Sequence, residues 1–213
     1  MEIGNKVFTV LSKMVDAAIL SIIWIVCSLP VFTIGASSTA LYYAVHKSLA
    51  RSRGYLWRSF WYGFKSNFKQ ATLSWLIQLV IMVVFALDIM IMRSVADQSS
   101  VYTLLMYIFY VLMALMIVWF YYTIAYQARF ENTLRNSLKN AGAIAFLNLP
   151  WSLPILLIFV LTVFVIILIP IFIFFIPAVQ FLIYDVILER IFRKYMKPED
   201  LEQELENDLM DRE

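Results

Sequence analysis

Residues 141–184 read AGAIAFLNLPWSLPILLIFVLTVFVIILIPIFIFFIPAVQFLIY, forty-four positions without one charged side chain. About 20 apolar residues already span the hydrocarbon core of a bilayer, so this stretch is long enough for two crossings. Pro170 divides it into spans of about 145–168 and 172–192. A second uncharged run, twenty-nine residues from Ala17 to Val45, lies near the other end. No water-soluble domain hides that much apolar helix, and the composition agrees: 62% hydrophobic and only 15% charged over 213 residues. The expected fold is all-α, a polytopic transmembrane helical bundle.

The first run contains its own reversal. Val7 to Leu29 makes one span, with Lys13 and Asp16 spaced to pair one turn apart. Pro30 then disfavours helix at Leu29, and Gly35 permits a tight turn. Residues 36–52 run back as a short second helix opening on Ala36, Ser37, Ser38, Thr39 and Ala40, small residues that let helices approach closely in lipid. Further spans are expected at 72–92 and 101–127. Six spans put Lys6, the basic linker from Lys47 to Lys69, the linker with Arg129, Arg135 and Lys139, and the residues from Arg190 to Lys197 on one side. The opposite side keeps Arg93, balanced by Asp97. By the positive-inside rule both termini are cytoplasmic. Five spans, with 17–45 as one long helix, would put Lys6 and Lys13 outside. The first apolar stretch exceeds a signal-peptide core and runs straight into another, so it is expected to be retained.

Residues 1–198 form the transmembrane domain, with sixteen Lys and Arg against seven acids, and 199–213 form an acidic cytoplasmic tail with eight acids and Arg212. Leu201, Leu205 and Leu209 recur every four residues through that tail, a narrow apolar stripe able to contact a partner or fold back on the basic linker. Two linker octets, Phe64–Ala71 and Leu134–Ala141, share the order apolar, basic, polar, polar, apolar, Lys, amide, Ala. Their apolar residues sit four apart on one face, which suits short amphipathic helices lying in the headgroup layer. The same match admits an internal repeat of three-helix halves.

Little in the chain promises chemistry. His46 is the one histidine and Cys27 the one cysteine, so neither a disulfide nor a multi-histidine metal site can form within the chain. His46 reads as a solvated interfacial residue. Phosphate-loop, nucleophile-elbow and zinc-helix motifs are lacking in the sequence. No cofactor, metal, nucleic-acid partner or enzymatic activity is expected. An intramembrane aspartyl protease built on Asp88 and Asp185 is the remote alternative, and these two should lie at opposite ends of the membrane. Polar residues inside a span are the other candidates, because insertion demands a partner. Gln78 can face the bundle interior. Gln180, three residues after Pro177, can supply a donor to a carbonyl freed by that proline. The turn 169–177 is wholly apolar, which fits either a shallow seat in lipid or a covering subunit.

Leu29, Pro30, Thr33, Ile34, Gly35, Ala36 and Ser37, followed by Phe64, Lys65, Asn67 and Phe68, resemble the YesL-like family of small bacterial integral membrane proteins, whose molecular function is unassigned. Members of that family tend to be encoded beside carbohydrate importers of the ATP-binding-cassette type. The resemblance therefore implies an accessory or regulatory role in sugar uptake at the bacterial cell membrane, with importer permease or ATPase subunits as partners. It supplies no catalytic residues. A small autonomous transporter is the alternative, although the spans carry few polar groups to bind a hydrophilic solute.

Overall fold

The computed structural model of the chain describes residues 2–51, 54–95, 99–196, 198, 199, 201, 202, 204 and 206, with side chains from Leu11 onward. Seven α-helices and no strand occur among the described residues. They are α1 (Glu2–Ser28), α2 (Ile34–Ala44), α3 (Leu56–Val95), α4 (Ser100–Arg129), α5 (Leu134–Leu147), α6 (Leu149–Leu168) and α7 (Ile176–Phe192). Short 3-10 helices occupy Val31–Thr33 and Pro170–Phe174, and α2 continues as a π-helix over Val45–Ala50. Four helices, α1, α3, α4 and α6, are long and apolar enough to cross a bilayer. The outward faces are apolar: Ile167 is 71% exposed, Met90 68% and Leu153 67%, while Ser21, Ser37, Gln78 and Ser137 are fully buried. A surface of that kind is stable against lipid and not against water.

The chain breaks at Pro30 and reverses, so residues 17–45 form two helices and not one. Thr33 fixes the turn by reaching both the Cys27 and the Pro30 carbonyls, each at 2.6 Å. The small residues of α2 do what small residues do in lipid: Gly35, Ala36, Ser37, Ser38, Thr39 and Ala40 are all buried, and α2 is packed by α1, α3, α4 and α7. It lies antiparallel along the first half of α3. Ser48 meets Ser59 at 2.8 Å at one end, and Gly35 touches Ala71 and Trp75 at the other. Trp24 and Ser28 of α1 clamp the opposite face through Ser38 (3.0 Å) and Ser37 (2.6 Å). The second half of α3 pairs instead with α4, where Gln78 donates to Thr123 and Phe85 packs on Phe109.

Several expected boundaries move. The octet 64–71 is not a separate interfacial helix, because α3 runs unbroken for 40 residues, about 60 Å, through linker and span alike. The octet 134–141 does open a short helix, α5, capped by Thr133 through the Asn136 N–H. That helix ends at Leu147, so the apolar helix expected from about 145 is α6 and starts at Leu149. The two octets touch, Gln70 donating to Ser137 at 2.7 Å. The last helix starts at Ile176 instead of 172, since Pro170–Phe174 forms the 3-10 turn. Pro177 sits in the first turn of α7, where no intrahelical bond is lost, so Gln180 has no orphan carbonyl to repair. Ser21 of α1 takes the capping role, accepting from the Ala178 N–H at 3.1 Å and donating to the Phe175 carbonyl at 3.3 Å. Lys13 and Asp16 form no ion pair among the described residues.

Candidate functional site

The C-terminal ends of α2, α4 and α7 meet, and each delivers an arginine. Arg51 caps the π-helix, Arg129 is the last residue of α4, and Arg193 caps α7. Cations are favoured at helix C-termini by the helix dipole, which accounts for a basic residue at each end. The π-turn adds a second effect. In an α-helix a residue five positions on lies about 140° round the axis, whereas i→i+5 bonding widens the turn and brings it back over the first. Arg51 accordingly folds onto His46, its Nη1 2.6 Å from Nδ1 and 2.7 Å from Nε2.

Asp185 and Glu189 stand one turn apart on α7 and face this meeting point. His46 Nδ1 lies 2.6 Å from Asp185 Oδ1. A proton on His46 Nδ1 is placed for donation to Asp185. Tyr42 stacks on the imidazole (centroids 6.2 Å apart, 11° between planes) and donates to Glu189 Oε1 at 3.3 Å. Arg129 grips the same carboxylate from two positions, Nε at 2.7 Å from Oε1 and Nη2 at 2.9 Å from Oε2. The His46, Asp185 and Glu189 side chains are only 7–8% exposed.

The tail completes the cluster. Glu204 returns to the bundle and receives all three arginines: Arg51 Nη2 and Arg193 Nη2 on Oε1, each at 3.1 Å, and Arg129 Nη2 on Oε2 at 2.5 Å. Burial alone would raise the Glu204 carboxyl, but Arg129, Arg51 and Arg193 outweigh it and hold the group below its ordinary value. Beside Arg129 opens a polar cleft of about 300 Å³ lined by Tyr43, Tyr62, Asn67, Gln127 and Asn132. His46, Asp185 and Glu189 are close enough for their donor atoms to share a cation. His46 and Glu189 already face Arg51 and Arg129, and Asp185 faces His46, so a metal ion would have to displace a guanidinium from a cluster that holds three. The arrangement is therefore built to hold anions against cations already fixed in the protein.

The residues singled out in the sequence fall elsewhere, with one exception. Asp185 is at the centre of the cluster. Asp88 is half-buried and has no ion-pair partner among the described residues, Arg93 included. Since Ser48 meets Ser59, the His46–Asp185 contact lies level with the start of α3, and Asp88 is about 40 Å of helix further on. The two aspartates cannot share a proton. Gln78, fully buried, donates to Thr123 at 3.1 Å, and its own Oε1 has no partner among the described residues. Gln180 bonds the hydroxyls of Tyr184 (2.7 Å) and Tyr121 (3.3 Å), and the Tyr184 hydroxyl donates to the Ile155 carbonyl at 2.9 Å. Leu29 and Pro30 are exposed at the turn and Ile34 half-buried behind it. Phe64 lies between Phe60 and Phe68, Lys65 is exposed, and Asn67 bonds the Gly63 carbonyl. Leu201 is half-buried, while Leu205 and Leu209 lie outside the described residues.

His46 is buried and not solvated, which corrects the expectation drawn from its isolation in sequence. Sequence reasoning missed it together with Arg51, Arg129, Glu189, Arg193 and Glu204. The available signal was the i,i+4 pair of acids on α7 and an arginine at the end of three helices that run the same way. No curated protein and no solved structure matches the chain. Residues 17–89, from the middle of α1 through α2 to Ile89 of α3, match a family described as "Protein of unknown function, DUF624".

Proposed function

We propose that this chain is a non-enzymatic, multi-pass component of a bacterial cell membrane that serves carbohydrate uptake as an accessory or regulatory subunit of an ATP-binding-cassette importer. The match over residues 17–89 is compatible with the YesL-like resemblance, from which the sugar-uptake context comes. The observation that carries the accessory reading over an autonomous carrier is the filled centre of the bundle. Tyr121, Gln180 and Tyr184 bond one another, and Gln127 bonds Ser74, so these interior polar groups are spent on holding helices together. A carrier for a hydrophilic solute needs such groups turned toward a hydrated path. The apolar turn around Ile171, 63% exposed, and the leucine register of the tail are the surfaces offered to partner subunits.

In this reading the hairpin of α1 and α2 leaves and returns on the same side, giving six passes with both termini in the cytoplasm. Labelling of a cysteine placed at Lys6 by an impermeant reagent outside intact cells would overturn that topology. The functional test is purification of the tagged protein from its native membranes in mild detergent, with and without residues 199–213. Recovery of importer permease or ATPase subunits, reduced when the tail is removed, is the expected result. A homogeneous species that by itself catalyses sugar uptake into proteoliposomes would replace this reading with the transporter.

A further inference from the structure

We propose that the three-arginine cradle formed by Arg51, Arg129 and Arg193 is a binding site for a phosphate group, and that Glu204 of the tail is its built-in competitor. The inference stands on the geometry of the cluster and does not depend on the role in sugar uptake.

Three observations carry it. Helix dipoles explain an arginine at each helix end, but not why the Nη2 atoms of all three converge on one carboxylate. A carboxylate is planar with two oxygens, and here one of them has to serve two guanidiniums. The three terminal oxygens of a phosphate monoester would give each arginine its own acceptor, the arrangement for which guanidinium forks are suited. The formal charges point the same way: among the cluster's described residues the bundle supplies three guanidiniums and two carboxylates, Asp185 and Glu189, and the third carboxylate comes from outside it. Finally, the occupant is weakly tethered. Glu204 lies eleven residues beyond Arg193 on a short tail, and helices of such length are marginal without tertiary contacts. Arg193 is 34% exposed and Arg129 borders the polar cleft, so an incoming anion has access without unfolding the bundle.

The phosphate can come from a soluble phosphomonoester or from the headgroup of phosphatidic acid, and the experiment separates the two. The full-length protein in detergent micelles is titrated with inorganic phosphate by calorimetry, beside Glu204→Gln, a variant ending at residue 198, and Glu204→Gln combined with Arg193→Gln. A tail docked nine-tenths of the time lowers apparent affinity about tenfold, so Glu204→Gln and the truncated chain should bind phosphate about tenfold more tightly than the wild type. Arg193→Gln should remove that gain. In a Cys27→Ser, Leu201→Cys background, phosphate should speed maleimide labelling of the tail. Acceleration by inorganic phosphate in micelles identifies a soluble ligand; acceleration only in nanodiscs containing phosphatidic acid, and not in phosphatidylcholine alone, identifies the lipid. Far-ultraviolet circular dichroism checks that each variant is folded, and the truncated chain serves if Glu204→Gln is not. Equal phosphate affinity in the wild type and both tail variants, or no phosphate binding by any of them together with no acceleration of labelling by phosphatidic acid, would overturn the proposal.

Discussion

Replacing Gly35 by alanine adds one methyl group where α2 touches α3, and the structure leaves no room for it. The added Cβ would lie well inside contact distance of both the Ala71 carbonyl oxygen and the Trp75 Cβ. Both obstacles are backbone or the root of a side chain, so neither can rotate away, and the helices have to separate. Overpacking of this kind costs about 3 kcal/mol at the upper end of its range. Separation also strains the bond from Trp75 Nε1 to the Val31 carbonyl, now 2.8 Å, worth about 1 kcal/mol. Alanine's better helix propensity returns about 1 kcal/mol, leaving a net loss of about 3 kcal/mol. Gly63 is the milder neighbour, its added Cβ 3.0 Å from Tyr43 Cβ, and Gly142 faces only the edge of the Trp119 indole at 3.1 Å. The expected order of destabilisation is Gly35→Ala, then Gly63→Ala, then Gly142→Ala, measured by unfolding in mixed micelles of rising SDS fraction with circular dichroism as the readout. A Gly35→Ala protein as stable as Gly142→Ala would refute the close approach of α2 and α3 and with it the central place of α2.

Arg129→Met should cost about 3–5 kcal/mol in the same assay, because it leaves Glu189 buried with its main cation removed; a loss below about 1 kcal/mol would show that the cluster is hydrated and loosely held. Tail docking should depend on acidity with a definite sign. The Glu204 carboxyl is held below its ordinary value by the arginines, so its contribution is present above the ordinary carboxylate range and is lost as pH falls through the lowered value. Protection of a cysteine at Leu201 should therefore hold at neutral pH and fail only in acid. Protection that instead vanished on raising pH from neutrality would contradict the assignment of Glu204 as the docking group.

The helices were legible where composition and backbone change together. Pro30 and Gly35 break both the apolar run and the chain, and the turn falls between them. At α3 the two signals part. Lys65, Asn67 and Lys69 interrupt the hydrophobic pattern, but they are ordinary helix residues, and neither a proline nor a cap stops the backbone between Leu56 and Val95. A change of solvent along a helix is not a change of conformation. Asn148 shows the converse. The apolar composition continues smoothly across it while the helix ends, and the cue lies in the next two residues, since Pro150 restricts Leu149 and sits at the start of α6.

The cluster was harder to see because its residues already had a reading. Arg51, Arg129 and Arg193 fit the positive-inside pattern as inner-loop charges, and that pattern asks on which side a charge lies and not where it points. Their side chains are in fact only 14–34% exposed and turn back across the ends of the helices that carry them. One residue can serve both purposes, since orientation during insertion depends on charge near the span and the folded contact on geometry afterwards. The acids could have raised the question, because Asp185 and Glu189 close an apolar helix that is otherwise free of charge before Arg190. Two carboxylates one turn apart at a helix C-terminus are disfavoured by each other and by the dipole, so their presence demands cations from elsewhere in the fold. Arginines at the same ends of the other two helices running that way are the candidates. Helix direction, helix ends and the sign of each charge thus point to the cluster without a tertiary structure.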